Sequence, residues 1–184
     1  MESKNFIETE RLFVRQWKEK DLHPFYKLNS CPEVMKFFPN LLSRKESDNF
    51  IYKASTQIDE NGFSFWAIEL KETSEFIGTM GIAEVNFDEH FTPAIEIGWR
   101  LDNKFWRRGF GYEGAKAILT YAFNFLLFKE IVSFTSIINT PSISLMEKVG
   151  MKRDINGDFD HPRIELNDPL CKHVLYRISL DKSI

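Results

Sequence analysis

Two glycines one residue apart, Gly109 and Gly111, follow Arg107 and Arg108 at the point where a strand-like run gives way to a long helical pattern. Without a Cβ the backbone can turn tightly there and approach a ligand closely. Successive N–H groups at such a turn, backed by the positive end of a helix dipole, form a ready site for a pyrophosphate. Arg107 and Arg108 add positive charge at its rim. The P-loop pattern G-x-x-x-x-G-K-[ST] is absent, and no third glycine completes the dinucleotide fingerprint. Two readings remain: a loop that binds phosphate through its backbone alone, or a helix start with a Gly-rich turn.

Just upstream stands Glu96-Ile-Gly-Trp-Arg-Leu101. Glu96 is the only carboxylate of that strand-like run, flanked by Ile95 and Ile97. Period-two alternation places Glu96, Gly98 and Arg100 on one face. A carboxylate in this position can take a proton directly or through water. It can equally serve as half of a structural ion pair with Arg100 or with a neighbouring strand.

The elements that must position these groups follow from the periodicity. Arg11 to Trp17 predicts a first strand. Asp21 offers an N-cap for a helix through Leu22, Phe25, Tyr26 and Leu28, with Pro24 in its first turn. Ser43 to Glu46 matches the S-x-x-E capping box, and Phe50, Ile51, Ala54 and Ile58 follow at helical spacing until Asn61-Gly62. The period then changes to two: Phe63–Leu70, Phe76–Val85 and Ala94–Leu101 read as consecutive antiparallel strands. A helix over roughly Gly111 to Phe128, a strand at Ile131–Ile138 and a short helix with Pro141 in its first turn and Gly150 past its end come next. Strands near Met151–Asp158 and Lys172–Leu180 complete an α+β domain built on a mixed sheet. One strand–helix–strand unit lies at its centre.

Composition narrows the classes. The 184 residues suit one domain with a single core, and 18 phenylalanines predict an aromatic one. The net charge is -3 with Lys and Arg scattered, which argues against nucleic-acid binding. Cys31 and Cys171 show neither CxxC nor His–Cys spacing, so nothing supports a metal site; a reducing compartment disfavours a disulfide between them, and they read as two small, partly buried hydrophobes. Met1 to Lys20 has no apolar signal-like core, and the longest apolar run, Tyr121 to Phe128, is far below the ~20 residues that span a bilayer. No membrane role and a cytoplasmic location are expected.

Trp106-Arg-Arg-Gly-Phe-Gly111 resembles the [QR]-x-x-G-x-[GA] loop of the GCN5-related N-acetyltransferase (GNAT) superfamily, with Trp in the leading position. That exchange is similar to the branch holding the ribosomal-protein N-terminal acetyltransferases. Asn139, Ser142, Leu145, Lys148, Gly150 and Met151 match a second motif of the branch. Thr9-Glu-Arg-Leu12 and Phe76-Ile-Gly78 resemble its opening and its third strand. The four matches occur in the family's order between about Thr9 and Leu180.

The resemblance implies a single-domain fold over 1–184, its mostly antiparallel central sheet flanked by helices. The family's fourth and fifth strands, here Ala94–Leu101 and Ile131–Ile138, would splay apart. It implies an N-acetyltransferase that uses acetyl-CoA and no metal, and that transfers the acetyl group to a primary amine of a small molecule or a protein N-terminus by direct attack in a ternary complex. Ile97, Gly98, Trp99, Arg100 and Leu101 would follow the pantetheine arm. Arg107, Arg108, Gly109, Phe110, Gly111 and Tyr112 would hold the pyrophosphate, and Asn139 would bond the arm unless it merely forms the turn before Pro141.

Glu96 is the first candidate base. Asp160 and His161 are rivals if the Asp-Phe-Asp-His-Pro stretch covers the amine. Many members place a Tyr acid where this chain has Met146, so Ser142 is the expected proton donor to the leaving thiolate, or else a helix-start residue. Segments 29–44 and 154–169 would select the acceptor, with Phe37, Phe38 and Pro39 as an apolar wall or part of the core. A non-catalytic acyl-CoA sensor is the competing class. The pattern names neither the acceptor nor the oligomeric state.

Overall fold

The computed structural model describes residues 5–180, and the chain divides into two compact units. The first comprises residues 1–82 and 98–118, the second 83–97 and 119–184. The first begins with strands β1 (Asn5–Glu8) and β2 (Leu12–Arg15), followed by helices α1 (Leu22–Asn29) and α2 (Arg44–Asn61). Strands β3 (Phe65–Leu70) and β4 (Phe76–Glu84) come next, then β5 (Ile95–Leu101) and helix α3 (Phe110–Asn124). The strand order is β1-β2-β3-β4-β5. Register pairs Leu12 with Leu70, Val14 with Ile68 and Trp66 with Met80, so one face collects large apolar side chains.

Aromatic rings dominate this core, as the phenylalanine count predicts. Trp17 lies 5.0 Å from Phe25 and 5.8 Å from Phe76 between ring centres, and Phe25 lies 5.2 Å from Phe50. The Ser43 capping box forms as expected: Ser43 Oγ accepts from the Glu46 N–H at 3.3 Å, and the Glu46 carboxylate accepts from the Ser43 N–H at 2.8 Å. Gly62 ends α2 with φ 81°, a left-handed value that glycine adopts without strain.

Asp21 occupies the N-cap of α1 but does not cap it with its side chain. Its carboxylate is fully buried and engaged by Arg15, at 2.6 Å from Nη1 and 2.9 Å from Nη2. The same guanidinium reaches Glu69 through Nε and Nη2 at 2.9 and 2.7 Å. Burial opposes the Arg15 charge, but these bonds hold its pKa above the ordinary value.

The second unit contains the end of β4, the start of β5 and the end of α3, then β6 (Glu130–Ser136), α4 (Thr140–Lys148), β7 (Lys152–Arg153), β8 (Phe159–Asp160) and β9 (Lys172–Ser179). The strand order is β5-β6-β9-β7, with β8 beside β9. β5 and β6 are parallel with Glu96 opposite Val132, whereas β9 runs antiparallel to β6 over seven registered pairs from Glu130 to Ser136. A short parallel register beside a long antiparallel one fits the splay expected of β5 and β6. Phe91, Val132, Phe159 and Leu175 form the buried centre of this unit.

Several elements differ from the sequence reading, among them β6, which ends at Ser136 rather than Ile138, and β8, which it did not contain. Strand β1 was not foreseen. Helix α3 stops at Asn124 instead of Phe128, because the Leu126 N–H bonds to the Tyr121 carbonyl and Leu127 turns left-handed at φ 59°. Phe125 and Leu127 then face outward, 72% and 74% exposed. Met151–Asp158 is not one strand: only Lys152 and Arg153 pair with β9, and the Gly157 N–H closes a turn on the Asp154 carbonyl. Asn156-Gly157 supplies the turn chemistry that breaks it.

Candidate active site

Between β5 and α3 the chain passes through a short 3-10 turn, Asn103–Phe105, whose first N–H groups are served by Asp102 Oδ1 accepting from Lys104 N–H at 3.0 Å. Trp106, in the leading position of the loop motif, folds its indole back so that Nε1–H donates to the Leu101 carbonyl at 2.9 Å. Arg107 then takes φ 59° and Gly109 φ 84°. Left-handed residues alternating with ordinary ones turn successive N–H groups to one side and create an anion-binding concavity. Among the described residues, the N–H groups of Arg107, Arg108, Gly109, Phe110 and Gly111 have no hydrogen-bond acceptor. Free donors, a helix N-terminus and two arginines fit a pyrophosphate.

The loop is held by residues that sequence reading saw only as a family opening. Glu113, in the first turn of α3, accepts from Thr9 Oγ1 at 2.6 Å, Arg11 N–H at 2.8 Å and Arg11 Nε at 2.6 Å. Burial raises the Glu113 pKa, but the bonds from Thr9 and Arg11 outweigh it and leave the carboxyl below its usual range. Arg11 Nη1 also donates to the Arg108 carbonyl at 3.0 Å, and the guanidinium lies 4.5 Å above the Phe110 ring. Two side chains of the β1–β2 segment thus orient the peptide units of the loop.

Along β5, Gly98 leaves room for the Phe65 ring, which a Cβ would meet at 3.1 Å. The Ile97 carbonyl accepts from Ser133 Oγ at 2.9 Å, so that carbonyl is already engaged. Glu96 and Arg100 do not form the ion pair that was one of the two readings of Glu96. Arg100 instead donates from Nη1 to Asn29 Oδ1 and lies 4.1 Å from the ring centre of Phe38. Its Nε–H is enclosed without an acceptor, and burial pulls its pKa down to about 10. An unmet buried donor costs about 1–3 kcal/mol, more on a charged group. Phe38, 37% exposed, is the cover of this guanidinium and not a core residue.

Glu96 makes no hydrogen bond or ion pair among the described residues. Poor solvation pushes its pKa up to about 7, with the Arg163 charge pulling modestly the other way. A carboxylate with that affinity for a proton can accept and release one at neutral pH.

The second unit separates the remaining candidates. Asn139 caps α4, with Oδ1 accepting from the Ser142 N–H at 3.3 Å and Nδ2 donating to Thr135 Oγ1 at 2.8 Å. The Ser142 hydroxyl, half-buried, has no partner among the described residues. Met146, at the position where the resemblance expects a tyrosine, is 1% exposed and belongs to the core.

His161 packs among Phe87, Phe159 and His173, 5.0, 6.2 and 4.9 Å away between ring centres. Burial, then the charges of His173 and Arg163, lower its pKa to about 4. Its Nδ1 accepts from the Arg163 N–H at 3.2 Å. Asp160 is exposed on β8, opposite Lys172.

An open mixed sheet whose central strand leads through a backbone anion cradle into a helix defines an acyl-CoA-dependent transferase fold. The chain belongs to the GNAT acetyltransferase family: the acetyltransferase (GNAT) domain model matches residues 11–152. It is an N-acetyltransferase with acetyl-CoA as its acyl donor. It is 30% identical to the uncharacterized N-acetyltransferase p20 of Bacillus licheniformis over 175 residues, 92% of this chain and 95% of that one. It is also 30% identical to the uncharacterized N-acetyltransferase YnaD of Bacillus subtilis over 149 residues, covering 80% and 83%. The crystal structure of a GNAT-family acetyltransferase from Bacillus anthracis superposes with TM-score 0.78 at 28% identity, covering 94% of this chain and 97% of that one.

In this family acetyl-CoA supplies a thioester-activated acetyl group. If the cradle holds its pyrophosphate, Gly111→Asp puts a carboxylate among the free N–H groups and repels it. Calorimetry is expected to show acetyl-CoA affinity falling by about 10²-fold or more, with the variant still folded. Wild type at acetyl-CoA or CoA concentrations near 100 times Kd should gain about 2.7 kcal/mol of stability, read as a rise in Tm that Gly111→Asp lacks.

Proposed function

We propose that the enzyme acetylates a primary amine, on a small molecule or a protein N-terminus, by direct attack in a ternary complex, with Glu96 as the base. The observation that carries this is the Glu96 carboxylate itself, unpaired and with its pKa raised to about 7 on the strand that leads to the anion cradle. A primary amine reaches the site mostly protonated at neutral pH, and a group poised there removes its proton directly or through water. Backbone N–H groups of β5 beyond Glu96 are the expected donors to the developing oxyanion. Ser142, whose hydroxyl has no partner among the described residues, returns a proton to the departing thiolate, a role that the buried Met146 cannot fill.

Supporting the acceptor class, the chain shares its fold with a spermidine N-acetyltransferase from Vibrio cholerae and with the ribosomal L7/L12 acetyltransferase RimL, at TM-scores 0.72 and 0.75. Residues 1–184 are proposed to work as one catalytic domain in the cytoplasm. The test is release of free CoA thiol across a panel of small primary amines and short peptides. Thiol release that depends on the acceptor supports the reading, and none with any amine, despite acetyl-CoA binding, would refute it.

A further inference from the structure

Arg100 carries a charge for which the described residues supply no opposite partner. Arg11, Arg15, Arg44, Arg153 and Arg177 each meet a carboxylate within 2.8 Å. Arg100 is held by neutral groups alone, the Asn29 amide oxygen and the face of Phe38. The hold is firm: Asn29 is wholly buried and its Nδ2 donates at 2.9 Å to Ser47 Oγ, which is also wholly buried. This relay fixes the amide oxygen, and with it one arm of the guanidinium. The Nε–H, which has no acceptor, lies on the other side of the fork. Nε with its neighbouring Nη is the edge that accepts a carboxylate in two parallel hydrogen bonds.

Its position fits a role in acceptor choice. Arg100 follows Gly98 by two residues and shares its strand face. Its two partners, Asn29 and Phe38, both come from segment 29–44, which sequence reading gave to acceptor selection. One guanidinium beside a neutral amide offers a single positive charge, which matches a carboxylate better than a phosphate dianion.

We propose that Arg100 binds a carboxylate of the acceptor, so that the enzyme selects amines that also carry a carboxyl group. The inference rests on the N-acetyltransferase reading above. It is tested on the product side, where no turnover is needed. With CoA saturating, acetamido acids of increasing chain length, beginning with N-acetylglycine, are titrated calorimetrically beside their primary amides, into wild type, Arg100→Gln and Arg100→Lys.

At least one acid is expected to bind wild type about tenfold or more tighter than its amide. Arg100→Gln should erase that preference, and Arg100→Lys, which keeps the charge but not the fork, should recover only part of it. Acids and amides that bind wild type equally, or not at all, would overturn the proposal, as would a preference that survives in Arg100→Gln. Tighter binding of N-acetyl-2-aminoethyl phosphate than of every acid would overturn the carboxylate assignment. The wild-type comparison decides even if a variant fails to fold. Failure of the underlying reading looks different: CoA itself then gives no heat, or thiol release is absent with every amine.

Discussion

Glu96→Gln is expected to lower turnover by roughly 10²–10⁴ at neutral pH while leaving acetyl-CoA affinity and Tm near wild type. Glutamine keeps the volume and can still hydrogen-bond, but it cannot take a proton. Among the described residues Glu96 has no hydrogen bond or ion pair to lose, so the substitution removes only the weak pull of the Arg163 charge. The pH profile gives a second readout. With a pKa near 7, the base form of wild type is depleted as pH falls below neutrality, so turnover should drop along that limb, and Glu96→Gln should flatten it. Sign also matters for stability. A carboxyl whose folded pKa is raised stabilises the fold fully below its unfolded value and loses that contribution as pH rises through 7. Glutamine, which stays neutral, should therefore be no less stable than glutamate above pH 7. Wild-type turnover by folded Glu96→Gln, with an unchanged profile, would transfer the role to Asp160 or His161.

The second large effect is on folding. Arg15→Met is expected to cost about 3–5 kcal/mol, because it leaves Asp21 and Glu69 as buried carboxylates without their shared cation. Chemical denaturation should show the midpoint falling with little change in slope. Lys18 and Lys20 lie 3.8 and 3.1 Å from Glu69 and soften its loss, but neither makes an ion pair with Asp21. A triple change to Met at Arg15 with uncharged partners at Asp21 and Glu69 should recover much of the loss, because replacing a whole buried ionic group by packed apolar residues is often neutral. A single-variant cost below about 1 kcal/mol would place this triad among exposed ion pairs of little consequence.

What could be read in advance was local. The Ser43 capping box needs only residues three apart, and the loop at 106–111 needs only its own glycines and the helix after it. Both stood in the sequence as they stand in the fold. Asp21 shows the limit: its type and position suit an N-cap, yet a guanidinium six residues earlier takes the carboxylate, because a buried charge needs a partner more than a helix end needs a cap. Strand β1 has four residues and too short an alternation to register.

In the site, Glu96 stood out as the lone carboxylate of an apolar strand. The Arg11–Glu113 bond and the Arg100–Asn29 bond join residues 102 and 71 apart, and no spacing rule reaches so far. Trp106 was visible only as a departure from the family loop, and its reason, the bond to Leu101, needed the turn geometry.

The bonds from Thr9 and Arg11 to Glu113 also set an order of events in the birth of the molecule. Thr9 leaves the ribosome 104 residues ahead of its partner, so the loop at 106–111 cannot settle until most of the chain has been made. Closing so long a loop delays folding more than it weakens the finished fold. Until then the first strands wait with an unmatched arginine at their turn, and the free N–H groups of the loop are brought into place only when the start of the chain meets a helix from its second half.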